Sequence, residues 1–524
     1  RTRIVPFLLH LVDPKRDVRQ DVRASALIAL GKLANDAITR QLLLHYAEKA
    51  RTPNLVRESA TLALGLLRRT DPSLRLDGRT LDEVRDRLLA LFDTVRAPTR
   101  TRAFAALALG LLADQPYGSP FSKDGRLVGR ALWQRLREDH LSRDLRVALL
   151  VALGRQRPEG IADGIRAGLR RIVLRPRTLG RRWSAQERSH ALIAFVRLGG
   201  PGTTAFLDRV LEQRREPREV RRAAFLAIGL ANRPRTPAQR KATARALEAG
   251  LRRARDPLTK GLGHIAAGHL LAADLAEDSD VLLRDGRLSR LLLAEAHRGS
   301  VPTRGFSILA LALATRNAST RTRPTGRFRA EALAVLHRGL DRDRSNDRIR
   351  SAYAVALGLA RDEDATVSLR RVVEDRTLDP DLRGRAAVAL GQIGVDDVAS
   401  RRVLLGALAE RQYEDLRRRA ALALGLLGGR VVTTRLLREL ETGRTERLLA
   451  QVVVALGRLG DLAAVEPLLA HASNENTSEL SQALGVVALG LLADPEPRPS
   501  LIRLTRDANY PARTDATHEA YSIL

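Results

Sequence analysis

Arginine is the residue whose clustering most clearly suggests chemistry in this sequence. Residues 161–260 hold 24 Lys and Arg against 8 Asp and Glu, an excess of 16 within a net charge of +30. Guanidinium groups present planar N–H forks that match carboxylate and phosphate oxygens, so a surface built from them would attract polyanions. The candidate polyanion-binding residues are Arg170, Arg171, Arg175, Arg177, Arg181, Arg182, Trp183, Arg214, Arg215 and Arg218.

Two observations support a different interpretation of these residues. Only 6 of the 90 basic residues are Lys, which indicates a genome that favours Arg codons rather than selection for a binding surface. Trp183 could stack on bases beside Arg181 and Arg182, but a tryptophan that opens a helix also packs readily into a core. Both interpretations stay open from the sequence.

Catalytic and metal-binding patterns are sparse. The chain has no Cys, which excludes disulfides, Cys-ligated zinc, iron–sulfur clusters and thiol catalysis. His264 and His269 are five residues apart, so a helix turns them about 140° from each other and away from a common metal. No HExxH, GxSxG or GxxxxGK[ST] pattern occurs. The sequence therefore predicts no enzyme, no cofactor and no metal site.

The elements that position these residues follow a repeat. A helix of small apolar residues ending in Ala-Leu-Gly recurs with spacings of about 30 to 46 residues and a base period near 33, which is typical of a solenoid. No such helix can bury its apolar face alone, so neighbouring repeats must supply the core. The thirteen anchors are Gly31, Gly65, Gly110, Gly154, Gly199, Gly229, Gly268, Ala312, Gly358, Gly391, Gly425, Gly457 and Gly490.

A basic residue precedes the anchor by eight positions in ten of the thirteen repeats. Ala191, Leu449 and Gln482 occupy this position in the other three. An Asp often stands just upstream, so each repeat predicts a helix A, a tight turn and a helix B that opens with a structural arginine facing that Asp. Nine of these ten basic residues are arginines and one is Lys260. We call the nine the arginine ladder: Arg23, Arg57, Arg102, Arg146, Arg221, Arg304, Arg350, Arg383 and Arg417.

The segments GRLGDLAAVEPLLAHA at 457–472 and GQIGVDDVASRRVLLGAL at 391–408 resemble HEAT repeats, specifically the short bacterial subtype first named from phycobilin-lyase subunits. The resemblance implies an all-α, right-handed α-solenoid of about thirteen helix pairs. It implies little about function, because such folds include scaffolds, lyase subunits and nucleic-acid binders. The segment DANYPA near the C-terminus resembles HEAT-repeat proteins of planctomycete-type bacteria, which implies export; without that likeness we expect a cytoplasmic protein.

The period also predicts the domain layout. Residues 1–490 are expected to form a continuous solenoid, with Gly-, Pro- and Arg-rich loop insertions near 70–79, 114–125, 175–183 and 316–327. Residues 491–524 depart from the period and are expected to cap the array. No run of about 18 apolar residues occurs that would span a membrane.

The sequence therefore predicts a non-enzymatic scaffold or adaptor that binds a protein partner along a concave groove and a loop edge. The alternative is polyanion binding, of nucleic acid or an acidic protein, through 161–260. A third possibility is an accessory subunit of a modifying enzyme. If the protein is catalytic, the alternatives are a lyase subunit and a DNA-glycosylase-like enzyme. The sequence does not define the oligomeric state.

Overall fold

The structure, a computed structural model, describes residues 2–33, 36–67, 78–113, 125–156, 163–231, 236–277, 279–316, 323–343, 346–443 and 445–494. Within these ranges the chain forms 27 α-helices, two short 3₁₀ turns and one two-stranded hairpin, so the prediction of an all-α fold is confirmed. Its contacts group into two compact units. The first unit is Arg1–Leu198 with Arg435–Leu524, and the second unit is Gly199–Thr434.

The first unit is a series of A–B helix pairs whose B helices pack against one another. The A helices are α1 (Ile4–Leu11), α3 (Ala37–Glu48), α5 (Gly78–Asp93), α7 (Gly125–Leu136), α9 (Asp163–Leu174) and α26 (Val465–Ser473). The B helices are α2 (Gln20–Leu33), α4 (Asn54–Leu66), α6 (Thr99–Ala113), α8 (Arg143–Gly154), α10 (Ala185–Leu198), α25 (Glu446–Leu459) and α27 (Glu479–Ala493). The hairpin strands β1 (Arg177–Thr178) and β2 (Arg181–Arg182) lie between α9 and α10.

The second unit repeats the same design. Its A helices are α11 (Thr203–Glu212), α13 (Pro237–Arg253), α16 (Arg287–Arg298), α18 (Arg323–Arg342), α20 (Thr366–Glu374) and α22 (Val398–Ala409), with the short α15 (Val281–Asp285) before α16. Its B helices are α12 (Arg218–Leu230), α14 (Pro257–Ala276), α17 (Val301–Thr315), α19 (Asp347–Ala360), α21 (Pro380–Ile393) and α23 (Glu414–Leu427). The A helix α24 (Arg430–Thr442) contains the boundary between the units. The described residues thus hold the thirteen B helices that the anchors predict, while the handedness of the solenoid stays a prediction.

The anchor glycine explains why neighbouring B helices can approach so closely. A Cβ added to Gly65 would lie 2.6 Å from Cα of Ala108, and one added to Gly391 would lie 2.6 Å from the carbonyl oxygen of Ala423. Only a residue without a Cβ permits this packing without a backbone shift. The pairs are Gly31 with Ala63, Gly65 with Ala108, Gly110 with Ala152, Gly154 with Ala194, Gly268 with Ala310, Gly358 with Ala389, Gly391 with Ala423, Gly457 with Ala488 and Gly490 with Ala29.

The pairing corrects the predicted register of the fifth repeat. Gly154 packs against Ala194, which places the anchor of that repeat at Val196 because the alanine stands two residues before the anchor elsewhere. Gly199 lies beyond the end of α10 with φ of 59°, so it follows the helix rather than packing in the seam. The ladder position is then Arg188, and the expectation that Ala191 occupies it is wrong.

The ladder arginines bind backbone carbonyls, and the expectation that they face the upstream Asp residues is wrong. The last carbonyls of a helix have no intrahelical partner and carry a partial negative charge, which suits a guanidinium donor. Asp381 instead pairs with Arg385 and Arg419. Eight of the ten accepting carbonyls lie at or within two residues of the end of helix A, and those of Arg16 and Leu141 lie farther along the A–B turn. The donors and acceptors are Arg23 to Arg16, Arg57 to Ala50, Arg102 to Phe92, Arg146 to Leu141, Arg188 to Val173, Arg221 to Gln213, Arg304 to Ala296, Arg350 to Leu340, Arg383 to Val373 and Arg417 to Leu408.

The first and last described helix pairs pack against each other within the first unit. Gly490 of α27 meets Ala29 of α2 in the same way as the other glycine–alanine pairs. Arg19 donates to the carbonyl oxygens of Thr477 and Glu475, at 2.8 and 2.9 Å, and to Oε1 of Gln482 at 3.0 Å. These contacts cover faces of α2 and α27 that would otherwise be exposed. Residues 491–493 of the predicted cap belong to α27, and 495–524 lie outside the described residues.

We expect Arg19→Ala to loosen this contact locally, because it removes one hydrogen bond to α27 and two to the turn that precedes α27. Amide hydrogen exchange in α27 should quicken, and the unfolding free energy should fall by about 1–3 kcal/mol. The control is Arg51→Ala, since Arg51 is exposed in the corresponding turn of the next pair. Equal exchange rates in α27 of the two variants would contradict a role for Arg19 in this contact.

A histidine of the second unit gains a partner on folding. Nε2 of His337 in α18 lies 2.6 Å from Oδ2 of Asp362, and this hydrogen bond raises the pKa of His337 against the opposing effect of burial. Because the pKa of His337 is higher in the folded than in the unfolded protein, its protonation stabilises the folded state. This contribution is fully present below the unfolded pKa of about 6.5 and is lost as the pH rises through the folded-state pKa. We therefore expect the difference in unfolding free energy between wild type and His337→Gln to shrink from pH 6 to pH 8. A constant difference in chemical denaturation would contradict this.

Candidate functional site: an arginine-lined cleft

Two consecutive A–B turns of the second unit enclose a cleft of about 920 Å³. One turn joins α11 to α12, where Pro217 precedes the first helical residue. The other joins α13 to α14, where the side chain of Asp256 caps the helix by accepting from Thr259 N and Pro257 occupies the first helical position. The Asp256 cap fixes the start of α14, whereas Pro217 forms no side-chain cap. We call this site the arginine cleft, after the six arginines that line it: Arg214, Arg218, Arg221, Arg252, Arg253 and Arg255.

One acidic residue lines the arginine cleft, and its charge is already engaged. The carboxylate of Asp256 accepts from Thr259 N at 2.9 Å, Thr259 Oγ1 at 2.7 Å and Arg222 Nη2 at 2.8 Å. Although burial acts in the opposite direction, these hydrogen bonds hold the pKa of Asp256 well below its usual range. Asp256 is therefore ionised at neutral pH but is shared with Arg222, so it leaves most of the positive charge in the cleft uncompensated.

Arg221 is the most buried cation of the cleft, with 8% of its surface exposed. Its Nη2 donates to the Gln213 carbonyl at 3.3 Å, while its buried Nε has no hydrogen-bond acceptor. Burial and then the positive charge of Arg253 lower the pKa of Arg221, and Glu216 opposes them with a smaller effect. A buried cation facing a second cation is costly unless an anion joins them.

Other ladder arginines have direct acidic partners. Arg383 bonds both oxygens of Glu410, at 2.6 and 3.0 Å, and Arg304 lies 2.7 Å from Asp343. Arg221 forms no such ion pair with a described acid, and it shares the cleft with a second cation, Arg253. This contrast distinguishes Arg221 from Arg304 and Arg383.

The remaining cleft arginines are mostly solvent-facing. Arg218 pairs with Glu219 at 3.0 Å, and Arg252 pairs with Glu248 at 2.5 Å. Arg214 and Arg255 are exposed. Exposed ion pairs of this kind contribute little to stability and exchange readily for a ligand. Arg215 is exposed in the same turn as Arg214 but does not line the cleft.

The predicted loop insertion at 175–183 forms a hairpin in the first unit. Arg177 pairs with Arg182 across the two strands, and the two-residue turn uses Leu179 and Gly180 with φ of 53° and 77°. Such a turn matches the twist of paired strands. Like charges directly opposite each other destabilise a strand pair, so this hairpin also leaves positive charge uncompensated. The five exposed arginines of α9 and the hairpin, which we call the hairpin patch, are Arg170, Arg171, Arg175, Arg177 and Arg182.

Two candidate residues of this segment have structural contacts. Arg181 Nη2 donates to the carbonyls of Arg137 and Glu138 and to Asp139, at 2.7 to 2.9 Å. Trp183 is 2% exposed, and its Nε1 donates to the Thr178 carbonyl at 3.0 Å. Because the tryptophan ring is buried, it is not available for base stacking. The other insertions, near 70–79, 114–125 and 316–327, lie almost wholly outside the described residues.

Sequence reasoning missed four residues of the site. It assigned Arg221 to the structural ladder and did not select Arg252, Arg253 or Arg255. The available signal was positional: both runs, RREPREVR at 214–221 and RRAR at 252–255, fall in A–B turns of consecutive repeats. Consecutive turns of a repeat array are neighbours in space, so two arginine-rich turns in succession predict a cluster.

The described residues contain no group of three or more His, Cys, Asp or Glu side chains placed to hold a metal ion. His264 Nδ1 lies 2.8 Å from Ser307 Oγ, but both residues are buried, which closes this pair to a substrate. Burial lowers the pKa of His190 to about 4. In the part of the chain that the structure covers, every helix is too short or too polar to cross a bilayer.

Comparison with protein families matches residues 333–425 to HEAT repeats. The match lies in the second unit and includes 391–408, so the HEAT-repeat prediction is confirmed for this stretch. The short bacterial subtype and the planctomycete-type likeness stay resemblances. A comparison with curated proteins gives no match.

Solved structures to which this chain is similar include several karyopherins. Yeast importin-β (Kap95p) is 12% identical, with a TM-score of 0.43 over 96% of this chain and 73% of that one. A Kap95–Nup1 complex is 12% identical, with a TM-score of 0.44 over 99% and 78%. Kap121p bound to Ste12p is 12% identical, with a TM-score of 0.41 over 97% and 57%. The chain thus spans little more than half of the Kap121p chain.

Proposed function

We propose that this protein is a non-enzymatic scaffold that binds an acidic segment of a protein partner. The arginine cleft carries the proposal, because six arginines and one engaged carboxylate converge there on the turn edge of two repeats. Guanidinium groups pair with carboxylates in a planar, two-bonded geometry, and such charge-assisted bonds are stronger than neutral ones. Rigid A–B turns present these donors at fixed positions, which reduces the entropy lost on binding.

Nucleic acid is the second candidate, favoured by the hairpin patch. Its exposed arginines include a like-charged cross-strand pair that a backbone phosphate would neutralise. Two features favour an acidic protein over nucleic acid. Every Phe, Tyr and Trp side chain in the described ranges is buried or half-buried, so a single strand would find little aromatic surface for stacking there. The arginine cleft also concentrates its charge in one open cleft, whereas a duplex needs charge distributed along its backbone.

Fluorescence anisotropy with three labelled probes tests the proposal. The probes are an Asp- and Glu-rich peptide, the same peptide with Asn and Gln replacing the acids, and a duplex of about 30 base pairs, each titrated from about 50 to about 300 mM salt. We expect binding in the micromolar range or tighter at about 150 mM salt for the acidic peptide alone. Tighter duplex binding with a steep salt slope would favour the second candidate. Equal binding of the acidic and amide peptides would contradict the proposal.

A further inference from the structure

We propose that the arginine cleft recognises a phosphoryl dianion. This inference rests on the proposed function, because we place the phosphoryl group on the acidic partner as a phosphorylated side chain. A phosphoryl group carries about −1.5 to −2 charges near neutral pH and three acceptor oxygens in a small volume. The arginine cleft offers the complementary arrangement, with many donors around a compact space and one acid among them.

The charge balance of the cleft favours a dianion over a single carboxylate. The one lining carboxylate, on Asp256, is held by Thr259 and Arg222. Glu219 and Glu248 pair with Arg218 and Arg252, and Glu216 acts on Arg221 through its charge. Among the described residues, no acid forms a hydrogen bond or ion pair with Arg214, Arg221, Arg253 or Arg255. A monoanion would leave most of this charge unpaired, whereas a dianion with three oxygens can accept from several guanidinium groups at once.

Arg221 supplies the independent observation. It is more than nine-tenths buried, keeps an unpartnered Nε and lines the cleft together with a second cation, Arg253. The buried guanidinium of Arg221 cannot move into water to reduce its repulsion from Arg253. A bound anion between the two arginines would neutralise them. A dianion satisfies both cations, since each positive charge can be matched.

The cleft is already arranged for such a ligand. Arg221 is tied to the Gln213 carbonyl and Arg253 to the Leu211 carbonyl at 3.4 Å. Arg222, Asp256 and Thr259 form a hydrogen-bonded set at the start of α14. Because Arg221 and Arg253 are held before binding, the phosphoryl group would order only the exposed arginines of the cleft.

The test compares three versions of one acidic peptide, carrying phosphoserine, glutamate or serine at its centre, in anisotropy titrations at about 150 mM salt. We expect the phosphoserine peptide to bind about tenfold or more tightly than the glutamate peptide. Its affinity should also weaken from about pH 7 to about pH 5, since the second phosphate pKa is near 6. Equal affinity of the phosphoserine and glutamate peptides would overturn the phosphoryl inference while leaving the proposed function intact. No binding of any acidic peptide would overturn both.

Matched variants locate the effect. Arg214→Gln with Arg255→Gln alters two exposed cleft residues, and Arg298→Gln with Arg411→Gln removes the same charge from exposed sites of the second unit that do not line the cleft. Only the cleft variant should lose the preference for phosphoserine, with both variants retaining the wild-type helical circular-dichroism signal. Loss in both variants would overturn a specific phosphoryl site. Inorganic phosphate distinguishes a phosphorylated partner from the free ion as the ligand. The ligand is the free ion if inorganic phosphate competes as strongly as the phosphopeptide and raises the melting temperature of wild type but not of the cleft variant.

Discussion

Gly391→Ala is expected to lower the unfolding free energy by about 3 kcal/mol, although alanine is the better helix former. A Cβ at this position would lie 2.6 Å from the carbonyl oxygen and 2.8 Å from Cα of Ala423. Both atoms belong to the backbone of α23, so no side chain can rotate away and the two helices must separate. The separation would also weaken the packing of buried Leu390 and Leu424 in the same unit.

Gly406→Ala is the matched control, because Gly406 also lies inside a helix of the second unit but would place its Cβ in open space. We expect that variant to gain about 0.5–1 kcal/mol from helix propensity alone. Chemical denaturation of the two variants gives both numbers. A stabilised or unchanged Gly391→Ala protein would show that the B helices are farther apart than the structure places them.

Arg383→Ala is expected to cost about 3–5 kcal/mol, the typical loss when one partner of a buried ion pair is removed. Arg383 is 1% exposed, donates from Nε to the Val373 carbonyl at 2.9 Å and bonds both oxygens of Glu410. Its removal would leave the carboxylate of Glu410 largely buried without its main counter-charge and the end of α20 without a cap.

Arg385→Ala, two residues away, is the control for this prediction. Arg385 forms an exposed pair with Asp381, and we expect its loss to cost less than about 1 kcal/mol. Thermal and denaturant unfolding of the two variants should therefore differ clearly. Similar small losses for both would contradict the structural role that we assign to the buried ladder arginines.

Much of the fold could be predicted from the sequence, because B helices that pack this closely require glycine or alanine at their contact points. Gly65 and Ala108 must both be small for their helices to meet, so the Ala-Leu-Gly pattern marks each contact directly. The predicted register was wrong at the fifth repeat. Val196 occupies the anchor position there, and Gly199, three residues later, was taken for the anchor glycine. The contact of Gly490 with Ala29 could not be predicted, since the period defines neighbours along the chain and gives no sign that the last repeat meets the first.

The site was less accessible to sequence reasoning than the fold. Arg221 has the same local pattern as Arg383, and the difference between them lies in their surroundings. Arg383 bonds Glu410, whereas Arg221 shares its cleft with Arg253, and both of these partners lie about one repeat further along the chain. Charge density alone selected 161–260, but it could not separate the buried Trp183 from the exposed arginines around it.

The central claim is that the arginine cleft binds an acidic partner. One measurement tests it most directly: the affinity of a labelled acidic peptide for wild type, for Arg214→Gln with Arg255→Gln, and for Arg298→Gln with Arg411→Gln at about 150 mM salt. We predict that the cleft variant binds about tenfold or more weakly, and that the control stays within about twofold of wild type. An equal loss in both variants would mean that binding depends on net charge alone, and an unchanged cleft variant would place the partner elsewhere on the protein; either result would contradict the claim.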